Sequence, residues 1–400
     1  MKILFLTSQF PFPMDNGGKI GAFNGLSTLN GHHEVFVLSF SENMDNTEGI
    51  EYFREILPNV KFETPVFHNI HIRKKLWSLG KVMLKDFLRG NPYILEKYEN
   101  KKMYRLIDST LKNMSFDCVF VDYFNMMIYG KYIKKKYADK YKLFIFKDHN
   151  LEFDIFRQEA LKNKGLIRWV LEREAKITKN LEIDAVKKSD IIFTVCHSDA
   201  KFFSSFNQHV YSMLPTFEVH DCKHELSREK RILYIGNLSW KPNLDGMKWF
   251  IENVWERILK RCPECCVDII GSAAEENPFP NYKNVNYIGY VKDISDVYKD
   301  YRVFIVPLFE GGGIRIKILE AFNNNVAVVA TSMSCETIGA TSNELCIADS
   351  AETFEESVVK LLTDDKCNEL LRNNAKQFLN ENFSLFSRQK EFDDIIKEIE

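Results

Sequence analysis

The chain has 400 residues, of which 45% are hydrophobic and 28% are charged, a balance typical of folded globular proteins rather than of disordered ones. This length predicts two domains, each with its own core. The formal net charge of −2 argues against bulk nucleic-acid binding, so any basic patch must be local.

The cysteine content and the hydropathy of the chain predict its cellular compartment. Nine cysteines at irregular spacings indicate free thiols in a reducing compartment. The first residues, MKILFLTSQFPFP, contain an apolar run that is too short for a signal peptide. No run of about 18 uninterrupted apolar residues occurs, so no transmembrane helix is predicted. We therefore expect a cytoplasmic protein.

Apolar runs in the first half predict the buried strands of a parallel sheet. They lie at 2–7, 34–40, 60–66, 118–123, 143–146 and 190–196, the last being the expected final strand of this half. Helical segments separate them, including one long charged stretch at 153–188, and Ser198 is expected to cap the next helix. Strands that alternate with helices predict a doubly wound α/β sheet.

The loop after the first strand ends in Gly17 and Gly18, directly before a predicted helix at 19–30. Their amides could bind a phosphate or an acceptor, because a helix N-terminus favours anions. The alternative is a flexible turn that needs positive φ angles.

The segment 72–89 (IRKKLWSLGKVMLKDFLR) interleaves basic and apolar residues at roughly helical spacing. This pattern is typical of a helix that lies on an anionic membrane surface. It is also typical of a surface helix whose apolar face covers the protein core. The residues leave both interpretations open.

A polar run, KDHNLE, follows the strand at 143–146 and contains His149. Open α/β sheets bind their ligands at the carboxyl ends of the strands. A histidine there can exchange a proton or a hydrogen bond near neutral pH, or it can make only structural bonds.

The composition changes at 215–230, which predicts an interdomain linker. A strand at 231–235 then leads into GNLSWKPNLDGMKWF, where Gly236 allows close backbone approach and Lys241 supplies a cation. Further strands are predicted at 267–270 and 285–289. The CPECC run at 262–266 lacks a second His or Cys pair at zinc spacing, so we expect thiols there and no metal site.

The most informative stretch is VPLFEGGGIRIKILEAFNNNVAVVA at 306–330. An apolar strand at 303–308, three glycines, a helix and a second strand predict a βαβ unit. Glycine amides and a helix N-terminus favour an anion, and Arg315 and Lys317 add positive charge. Glu320 could accept hydrogen bonds from sugar hydroxyls. A loop at 331–339, a strand at 344–348 and helices at 351–363, 366–382 and 384–400 follow.

Two of these motifs carry a resemblance. GGGIRIKILEA and G-x-x-x-W-x-P-N resemble the signatures of GT-B glycosyltransferases of family 4, retaining enzymes that use nucleotide sugars. The usual family motif has two glutamates eight positions apart; Glu320 matches the second, but Gly312 stands at the first. The chain resembles a GGG-x-R-x-K-x-L-E subgroup in this respect. How the donor sugar is held without that glutamate stays open.

The resemblance implies roles for individual residues. Catalytic roles fall to His149, Arg315, Lys317 and Glu320. Donor binding falls to Gly17, Gly18, Gly236, Asn237, Lys241, Val291, Gly311, Gly312, Gly313 and Ile314. In this scheme the three cations Arg315, Lys317 and Lys241 stabilise the departing diphosphate, Glu320 binds the ribose, and His149 lies over the donor sugar. The base lies against the segment that contains Val291.

The same resemblance implies the fold: α/β, GT-B, with two doubly wound Rossmann-like domains facing each other across a cleft. The N-terminal domain (1–214, with the last helix at 384–400 crossing back) would bind the acceptor. The C-terminal domain (228–383) would bind the nucleotide sugar. The chain has no Asp-x-Asp pair, so we expect no metal, no cofactor, and cationic side chains in place of a metal.

The expected function is retaining, metal-independent transfer of a hexose-type sugar from a UDP- or GDP-linked donor. The expected acceptor is a glycan or lipid-linked hydroxyl in cell-surface polysaccharide synthesis, with peripheral contact to the inner face of the membrane through 72–89. Two alternatives remain: a nucleotide-sugar epimerase of GT-B fold, which would need further acid/base carboxylates, and a non-catalytic nucleotide-sugar-binding subunit.

Overall fold

The structure is a computed structural model that describes residues 1–14, 17–68, 92–219, 226–271, 278–279, 282–291, 297–310 and 314–399. The chain forms two compact units. Unit 1 contains Met1–Thr216 and Arg388–Glu400, and unit 2 contains Phe217–Ser387. The basic segment 72–89 lies outside the described residues, so its two interpretations remain predictions.

Unit 1 is built on a parallel sheet with strand order β3-β2-β1-β5-β6-β7-β8, and β4 also pairs with β2. Its strands are β1 Lys2–Thr7, β2 Glu34–Ser41, β3 Val60–Phe62, β4 Val66–Phe67, β5 Cys118–Asp122, β6 Leu143–Asp148, β7 Ile191–Thr194 and β8 Val210–Ser212. Its helices are α1 Gly17–Leu29, α2 Thr47–Ile56, α3 Tyr93–Glu96, α4 Lys101–Asn113, α5 Met127–Lys136, α6 Glu152–Lys162, α7 Gly165–Lys187 and α8 His197–Phe203.

Both faces of this sheet are covered, which explains why its strands are continuously apolar. Successive residues of β1 point to opposite faces: Leu4 and Leu6 belong to one core cluster, Ile3 and Phe5 to the other. All four side chains are fully buried.

The last helix, α15 (Leu385–Ile399), contributes to the core of unit 1. Phe392, Ile395 and Ile396 pack in the same cluster as Ile3 and Phe5. Asp393 on this helix also lies 2.9 Å from the ring nitrogen Nε2 of His33. Unit 1 is therefore completed by residues from the end of the sequence.

Unit 2 has a second parallel sheet, with strand order β11-β10-β9-β12-β13-β14. Its strands are β9 Arg231–Ile235, β10 Cys266–Ile270, β11 Val285–Gly289, β12 Val303–Val306, β13 Ala327–Ala330 and β14 Cys346–Ile347. Its helices are α9 Lys241–Phe250, α10 Glu256–Arg261, α11 Ile316–Asn323, α12 Ser332–Glu336, α13 Ala351–Thr363 and α14 Asp365–Phe383, with a π-helical turn at Ile251–Trp255 between α9 and α10.

Helix α9 lies very close to the end of β12, the strand that leads into the glycine run. A Cβ atom at Gly246 would lie only 2.0 Å from the carbonyl oxygen of Pro307, so no other residue fits there without a shift. The middle of α9 therefore packs directly against the backbone that follows β12.

Several sequence predictions about local structure are wrong. The predicted helical stretch 153–188 is helical, but it is divided at 163–164 into two packed helices, α6 and α7, and Gly165 at the start of α7 has φ 61°. Strand 190–196 is not the last strand, since β8 follows it. Ser198 does not cap α8: Cys196 occupies the N-cap position, and Ser198 bonds to Asp199 instead. The predicted strand 60–66 is two short strands, and the loop 331–339 contains α12.

Candidate functional site

In unit 1 a buried polar network lies at the carboxyl ends of β1, β5 and β6. Asp122 ends β5 in register with Lys147 on β6, and its Oδ1 lies 2.7 Å from His149 Nε2 and 3.4 Å from Lys147 Nζ. Its Oδ2 accepts a hydrogen bond of 2.9 Å from the hydroxyl of Thr7. All four residues are at least nine-tenths buried.

The electrostatics of this network favour an ionised Asp122 and a neutral His149. Burial alone would raise the pKa of the Asp122 carboxyl, but Lys147, His149 and the Thr7 hydroxyl outweigh it and lower that pKa. Burial lowers the pKa of His149, and Asp122 offsets only part of this effect. A neutral imidazole that donates Nε2–H to Asp122 leaves Nδ1 as a hydrogen-bond acceptor.

The His149 ring is fixed from two sides. Tyr123 stacks on it with ring centroids 3.6 Å apart and planes 11° from parallel, and the Tyr123 hydroxyl donates to the Gly18 carbonyl at 2.6 Å. On the α1 side, a Cβ at Gly21 would lie 2.7 Å from His149 Cε1. The sequence-predicted residues Gly18 and His149 are therefore brought together, through Tyr123.

Tyr123 itself has φ 79°, a left-handed conformation that is rare for a residue with a side chain. Such strain persists where the surrounding structure imposes it, and it concentrates at functional sites.

A group of carboxyl side chains lies beside this network at the start of α6. Glu182 accepts hydrogen bonds from the amides of Glu152 and Phe153 at 2.8 and 3.2 Å, so it caps α6 from α7. Burial raises the pKa of Glu182 to about 8 and that of Glu152 to about 7. Burial and these two neighbours also raise the pKa of Asp148. Burial thus favours the protonated forms of all three carboxyl groups, and repulsion between neighbouring carboxylates adds to this effect for Asp148 and Glu182.

In unit 2, Lys317 on the first turn of α11 is the centre of the candidate site. Its Nζ donates to Asn243 Oδ1 at 3.1 Å and lies 4.9 Å above the ring of the buried Tyr234. Asn243 in turn donates to the carbonyl of Asn237 at 2.9 Å. A Cβ at Gly236 would lie 2.9 Å from Lys317 Nζ. The structure therefore joins the two sequence motifs of unit 2.

Desolvation and like charge act together on Lys317. Burial first, and then the Arg315 charge, lower its pKa to about 8, although Glu320 partly opposes the shift. Burial also lowers the pKa of Arg315 and raises that of Glu320. Among the described residues, no carboxylate forms an ion pair with Lys317. An anion bound there would restore the charged form of the lysine.

Other predicted donor residues lie around this cluster or outside it. Lys241 begins α9 but is fully exposed and forms an ion pair with Asp245 on the next turn. Gly17 begins α1 in open space. Val291 and Ile314 are partly exposed. Gly311, Gly312 and Gly313 lie outside the described residues. The donor-binding roles of these residues remain predictions.

Sequence reasoning missed several members of both clusters, namely Asp122, Tyr123, Gly21, Tyr234 and Asn243. For Asp122 and Lys147 a signal was available, because each is a charged residue at the end of an apolar strand. Asn243 stood within the recognised G-x-x-x-W-x-P-N motif but was given no role. The others depend on contacts that the sequence does not reveal.

In the ranges that the structure describes, no group of three or more His, Cys, Asp or Glu side chains is arranged to hold a metal ion. In those same ranges no helix is both long and apolar enough to cross a bilayer. In the CPECC run, Cys262 and Cys265 are buried free thiols.

A comparison with protein families matches residues 229–364, most of unit 2, to the glycosyl transferases group 1. A protein of Klebsiella pneumoniae, described as an uncharacterized 44.6 kDa protein in cps region, is 24% identical and covers 99% of both chains.

Solved structures resemble the whole chain. Anabaena HepE in complex with UDP and glucose aligns with a TM-score of 0.58 at 13% identity, over 99% of both chains. Sucrose-phosphate synthase from Thermosynechococcus elongatus aligns with a TM-score of 0.64 at 10% identity, over 100% of this chain and 99% of that one. Staphylococcus aureus TarM, in a complex that contains UDP, gives a TM-score of 0.56 at 10% identity over 98% and 99%.

These likenesses confirm the predicted class of two Rossmann-like α/β domains with parallel sheets. The chain thus has the GT-B fold, and its second unit matches the glycosyl transferases group 1.

Proposed function

We propose that this protein is a glycosyltransferase that moves a sugar from a nucleotide diphosphate sugar to an acceptor hydroxyl. The match of unit 2 to the glycosyl transferases group 1 supports this proposal. So does the fold, which is shared with structures of Anabaena HepE in complex with UDP or UDP-glucose. Fold alone does not determine activity, so the geometry of the site in unit 2 is decisive.

The observation that carries the proposal is Lys317. This partly buried cation lies beside Arg315 at the start of α11, and its described hydrogen bond goes to a neutral amide oxygen. A desolvated cation at a helix start, next to glycines at a strand end, suits the diphosphate of a nucleotide sugar. When the sugar leaves, negative charge grows on this diphosphate, and fixed cations stabilise it.

The finer assignments are part of the same proposal. Transfer retains the anomeric configuration, needs no metal, and uses a hexose-type donor with UDP or GDP. Unit 2 binds the nucleotide, with Glu320 on the ribose, and unit 1 binds a glycan or lipid-linked acceptor and supplies His149. The proposed role is surface polysaccharide synthesis at the cytoplasmic side of the membrane, and the relative adds only its place in a cps region.

The first experiment measures thermal unfolding of the full chain with UDP, GDP and TDP, each with and without EDTA. A ligand at 100 times its Kd adds about 2.7 kcal/mol to the free energy of unfolding. We expect stabilisation by one nucleotide, unchanged by EDTA. No stabilisation by any of the three would contradict the proposal, and loss of the effect in EDTA would contradict metal independence.

A pair of variants tests the role of Lys317. Lys317→Met removes the charge but keeps an apolar chain of similar length, so the protein should fold while losing the nucleotide effect. Removal of one charge-stabilising group costs about 3 kcal/mol, or about a hundredfold in transfer rate. The control is Lys248→Met, on the exposed side of α9 in the same unit, which should leave both measurements unchanged.

The alternative of a non-catalytic subunit rests on one observation: Gly312 stands where the resembling family has its first glutamate. A subunit of this kind would bind the nucleotide but would neither transfer the sugar nor hydrolyse the donor. Release of the nucleotide from the matching nucleotide sugar, followed by chromatography, separates the two functions. Interconversion of sugar epimers without nucleotide release would instead indicate an epimerase.

A further inference from the structure

Helices α6 and α7 form a hairpin whose turn is both exposed and apolar. Four large side chains within nine consecutive residues are open to solvent: Leu161 is 68% exposed, Leu166 75%, Ile167 61% and Trp169 56%. Single exposed apolar residues are normal on a protein surface, but a cluster of them indicates a contact surface. Residues 161–169 are called the hairpin tip below.

The hairpin tip differs from the base of the same hairpin. At the base, α7 buries Thr178 and Glu182, and Glu182 accepts hydrogen bonds from the first two amides of α6. Residues 165–173, the beginning of α7, contain no buried side chain. The base therefore anchors the hairpin in unit 1, while the tip adds nothing to its core.

The hairpin tip is positively charged. It contains three basic residues, Lys162, Lys164 and Arg168, and no acidic residue. The whole chain has a formal net charge of −2, so this positive charge is a local feature. Lys164 forms no ion pair with the part of the chain that the structure describes. A partner that suits the tip must therefore combine apolar and anionic groups.

Two of these cations have acidic neighbours about one helical turn away from the tip. Glu159 lies 3.3 Å from Lys162 Nζ, and Glu172 lies 2.7 Å from Arg168 Nε. All four side chains are exposed, so water and salt screen the pairs and the carboxylates hold the cations only weakly. An anionic partner can therefore replace these carboxylates.

A lipid bilayer with anionic headgroups has the required combination of groups. Tryptophan is enriched at membrane–water interfaces, because its ring is apolar and its N–H is polar. Apolar side chains of a surface helix enter the boundary between headgroups and acyl chains, while lysine and arginine contact the phosphates. Leu166 and Trp169, three residues apart on α7, lie on the same face of the helix and can enter together.

A second copy of the chain is the other candidate partner. Contact between two hairpin tips would bring two sets of three basic residues together, with no acidic residue in either tip. Like charges repel each other at such distances. The charge of the tip therefore favours a lipid surface over a second tip.

We propose that the hairpin tip docks on an anionic lipid bilayer, with its apolar side chains in the headgroup region and its three cations on lipid phosphates. Helix α6 has 11 residues and begins three residues after His149, so the tip lies about 16 Å along the helix from that point. Docking would hold the carboxyl ends of the strands of unit 1 close to the lipid surface. The inference goes beyond the proposed glycosyltransferase function and does not depend on it.

The test is co-sedimentation of the full chain with lipid vesicles. One set contains phosphatidylcholine alone, and the other contains equal amounts of phosphatidylcholine and phosphatidylglycerol. We expect binding to the mixed vesicles that weakens as salt is added, because salt screens the three cations. Binding to neither set, or equal binding to both, would overturn the proposal.

A matched pair of variants assigns the binding to the hairpin tip. Leu166→Ser should weaken vesicle binding about tenfold, because one leucine side chain no longer leaves water. The control, Leu370→Ser, changes a leucine that is 60% exposed on α14 of unit 2 and should bind vesicles as the parent does. Both positions are exposed, so both variants should unfold at the same temperature as the parent. Equal vesicle binding by the two variants would refute the docking of the tip and assign the contact to another segment, such as 72–89.

Fluorescence quenching by brominated lipids locates Trp169. We expect brominated mixed vesicles to quench part of the tryptophan emission, and Trp169→Phe to remove this quenched part. Quenching that persists unchanged in Trp169→Phe would place a different surface on the bilayer. Self-association of the lipid-free chain that Leu166→Ser abolishes, together with no vesicle binding, would show that the tip is a contact between copies instead.

Nucleotide stabilisation, measured on the same samples, keeps the two proposals apart. Leu166→Ser should leave it unchanged, because the hairpin tip belongs to unit 1 and the proposed nucleotide site to unit 2. Vesicle binding that depends on the tip, without stabilisation by UDP, GDP or TDP, would support the docking and refute the glycosyltransferase proposal. Nucleotide stabilisation without vesicle binding would do the reverse.

Discussion

Each unit holds a lysine at the ligand-binding edge of its parallel sheet, but the two lysines have different partners. In unit 1, Lys147 Nζ lies 3.4 Å from the ionised Asp122 and also donates to the Gly21 carbonyl at 3.1 Å. In unit 2, the described partners of Lys317 Nζ are a neutral amide oxygen and the face of an aromatic ring. Within the described residues, Lys147 has a carboxylate in contact, whereas Lys317 has none in contact and feels only the weaker effect of Glu320.

This difference indicates that the Lys147 network of unit 1 is structural, whereas the Lys317 site of unit 2 is suited to bind an anionic ligand. A buried charge without a counter-charge is unfavourable, and a protein can lower that cost by shifting the pKa of the group. Lys317 has such a shift, to about 8. An anionic ligand would supply a counter-charge in unit 2, whereas in unit 1 Asp122 supplies it from the protein itself.

The largest expected effect is a loss of stability when the ion pair of Asp122 and Lys147 in unit 1 is broken. Asp122→Asn leaves Lys147 buried without its counter-charge and replaces one of the two acceptor oxygens, which serve His149 and Thr7, with an NH₂ donor, so we expect a loss of about 3–5 kcal/mol in the free energy of unfolding. Urea unfolding measures this loss. A loss below about 1 kcal/mol would show that the network is not the structural part of the comparison.

The next largest expected effect is the destabilisation caused by adding one methyl group to α1. Gly21→Ala places a Cβ 2.7 Å from the His149 ring, which Tyr123 and Asp122 prevent from moving away freely. Overpacking of this kind costs about 1–3 kcal/mol, reduced by the better helix propensity of alanine. We expect shifted His149 signals in NMR spectra and unchanged UDP binding. Weaker UDP binding would place nucleotide recognition in unit 1.

The corresponding change in unit 2 acts on binding instead. In Gly236→Ala the new Cβ would lie 2.9 Å from Lys317 Nζ and 2.7 Å from the Tyr234 hydroxyl, which forces the lysine to shift. We expect about a tenfold weaker UDP affinity, equivalent to about 1.4 kcal/mol, by calorimetry. Unaltered affinity in a folded variant would argue that the diphosphate does not contact Lys317.

The pH dependence of UDP binding is a further test of whether the diphosphate contacts Lys317. With a pKa of about 8, Lys317 is neutral in the free protein above that pH, and a bound diphosphate favours its charged form. Binding should therefore take up a proton above pH 8, and the affinity should fall by as much as tenfold per pH unit. Calorimetry in buffers of different ionisation enthalpy measures the uptake. Lys317→Met should show none.

The lowered pKa of Lys317 also determines how its contribution to the free energy of unfolding changes with pH. Between about pH 8 and the usual lysine pKa of 10.5, the unfolded chain binds more protons at this residue than the folded protein does. The contribution of Lys317 to the free energy of unfolding therefore increases with pH across this window. In Lys317→Met this contribution should vanish.

The smallest expected effect concerns Lys241 and Asp245. Exposed ion pairs one turn apart on a helix contribute little to stability, because water and salt screen them. Asp245→Asn should thus hardly change stability, but it frees Lys241, which is predicted to contact the donor diphosphate. We expect UDP affinity to stay equal or to rise slightly. If Lys241→Ala also leaves the affinity unchanged, the predicted role of Lys241 is wrong.

The sequence predicted the strands at the centre of both sheets well, because each is an apolar run between polar turns. The unit at 303–330 is an example: β12, α11 and β13 all occur in the structure. Short edge strands such as β8 were missed, since three residues carry too little pattern. The break between α6 and α7 had a signal in Asn163 and Gly165 that was overlooked.

The candidate sites were predictable to a lesser degree. Arg315, Lys317 and Glu320 follow from local spacing on one helix. The partners of Lys317 and His149 come from distant parts of the chain, such as Asn243 and Gly21, and only the sheet topology brings them together. Their burial, and hence the direction of each pKa shift, was likewise a property of the fold.

The path of helix α15 has a consequence for how this protein is made. Phe392, Ile395 and Ile396 belong to the core of unit 1, yet the ribosome synthesises them after all of unit 2. Domains commonly fold in the order in which they emerge, N-terminal first. Here the sheet of unit 1 emerges first but keeps part of one face uncovered until 385–399 has been made, so unit 1 completes its core only after the residues of unit 2 have been synthesised.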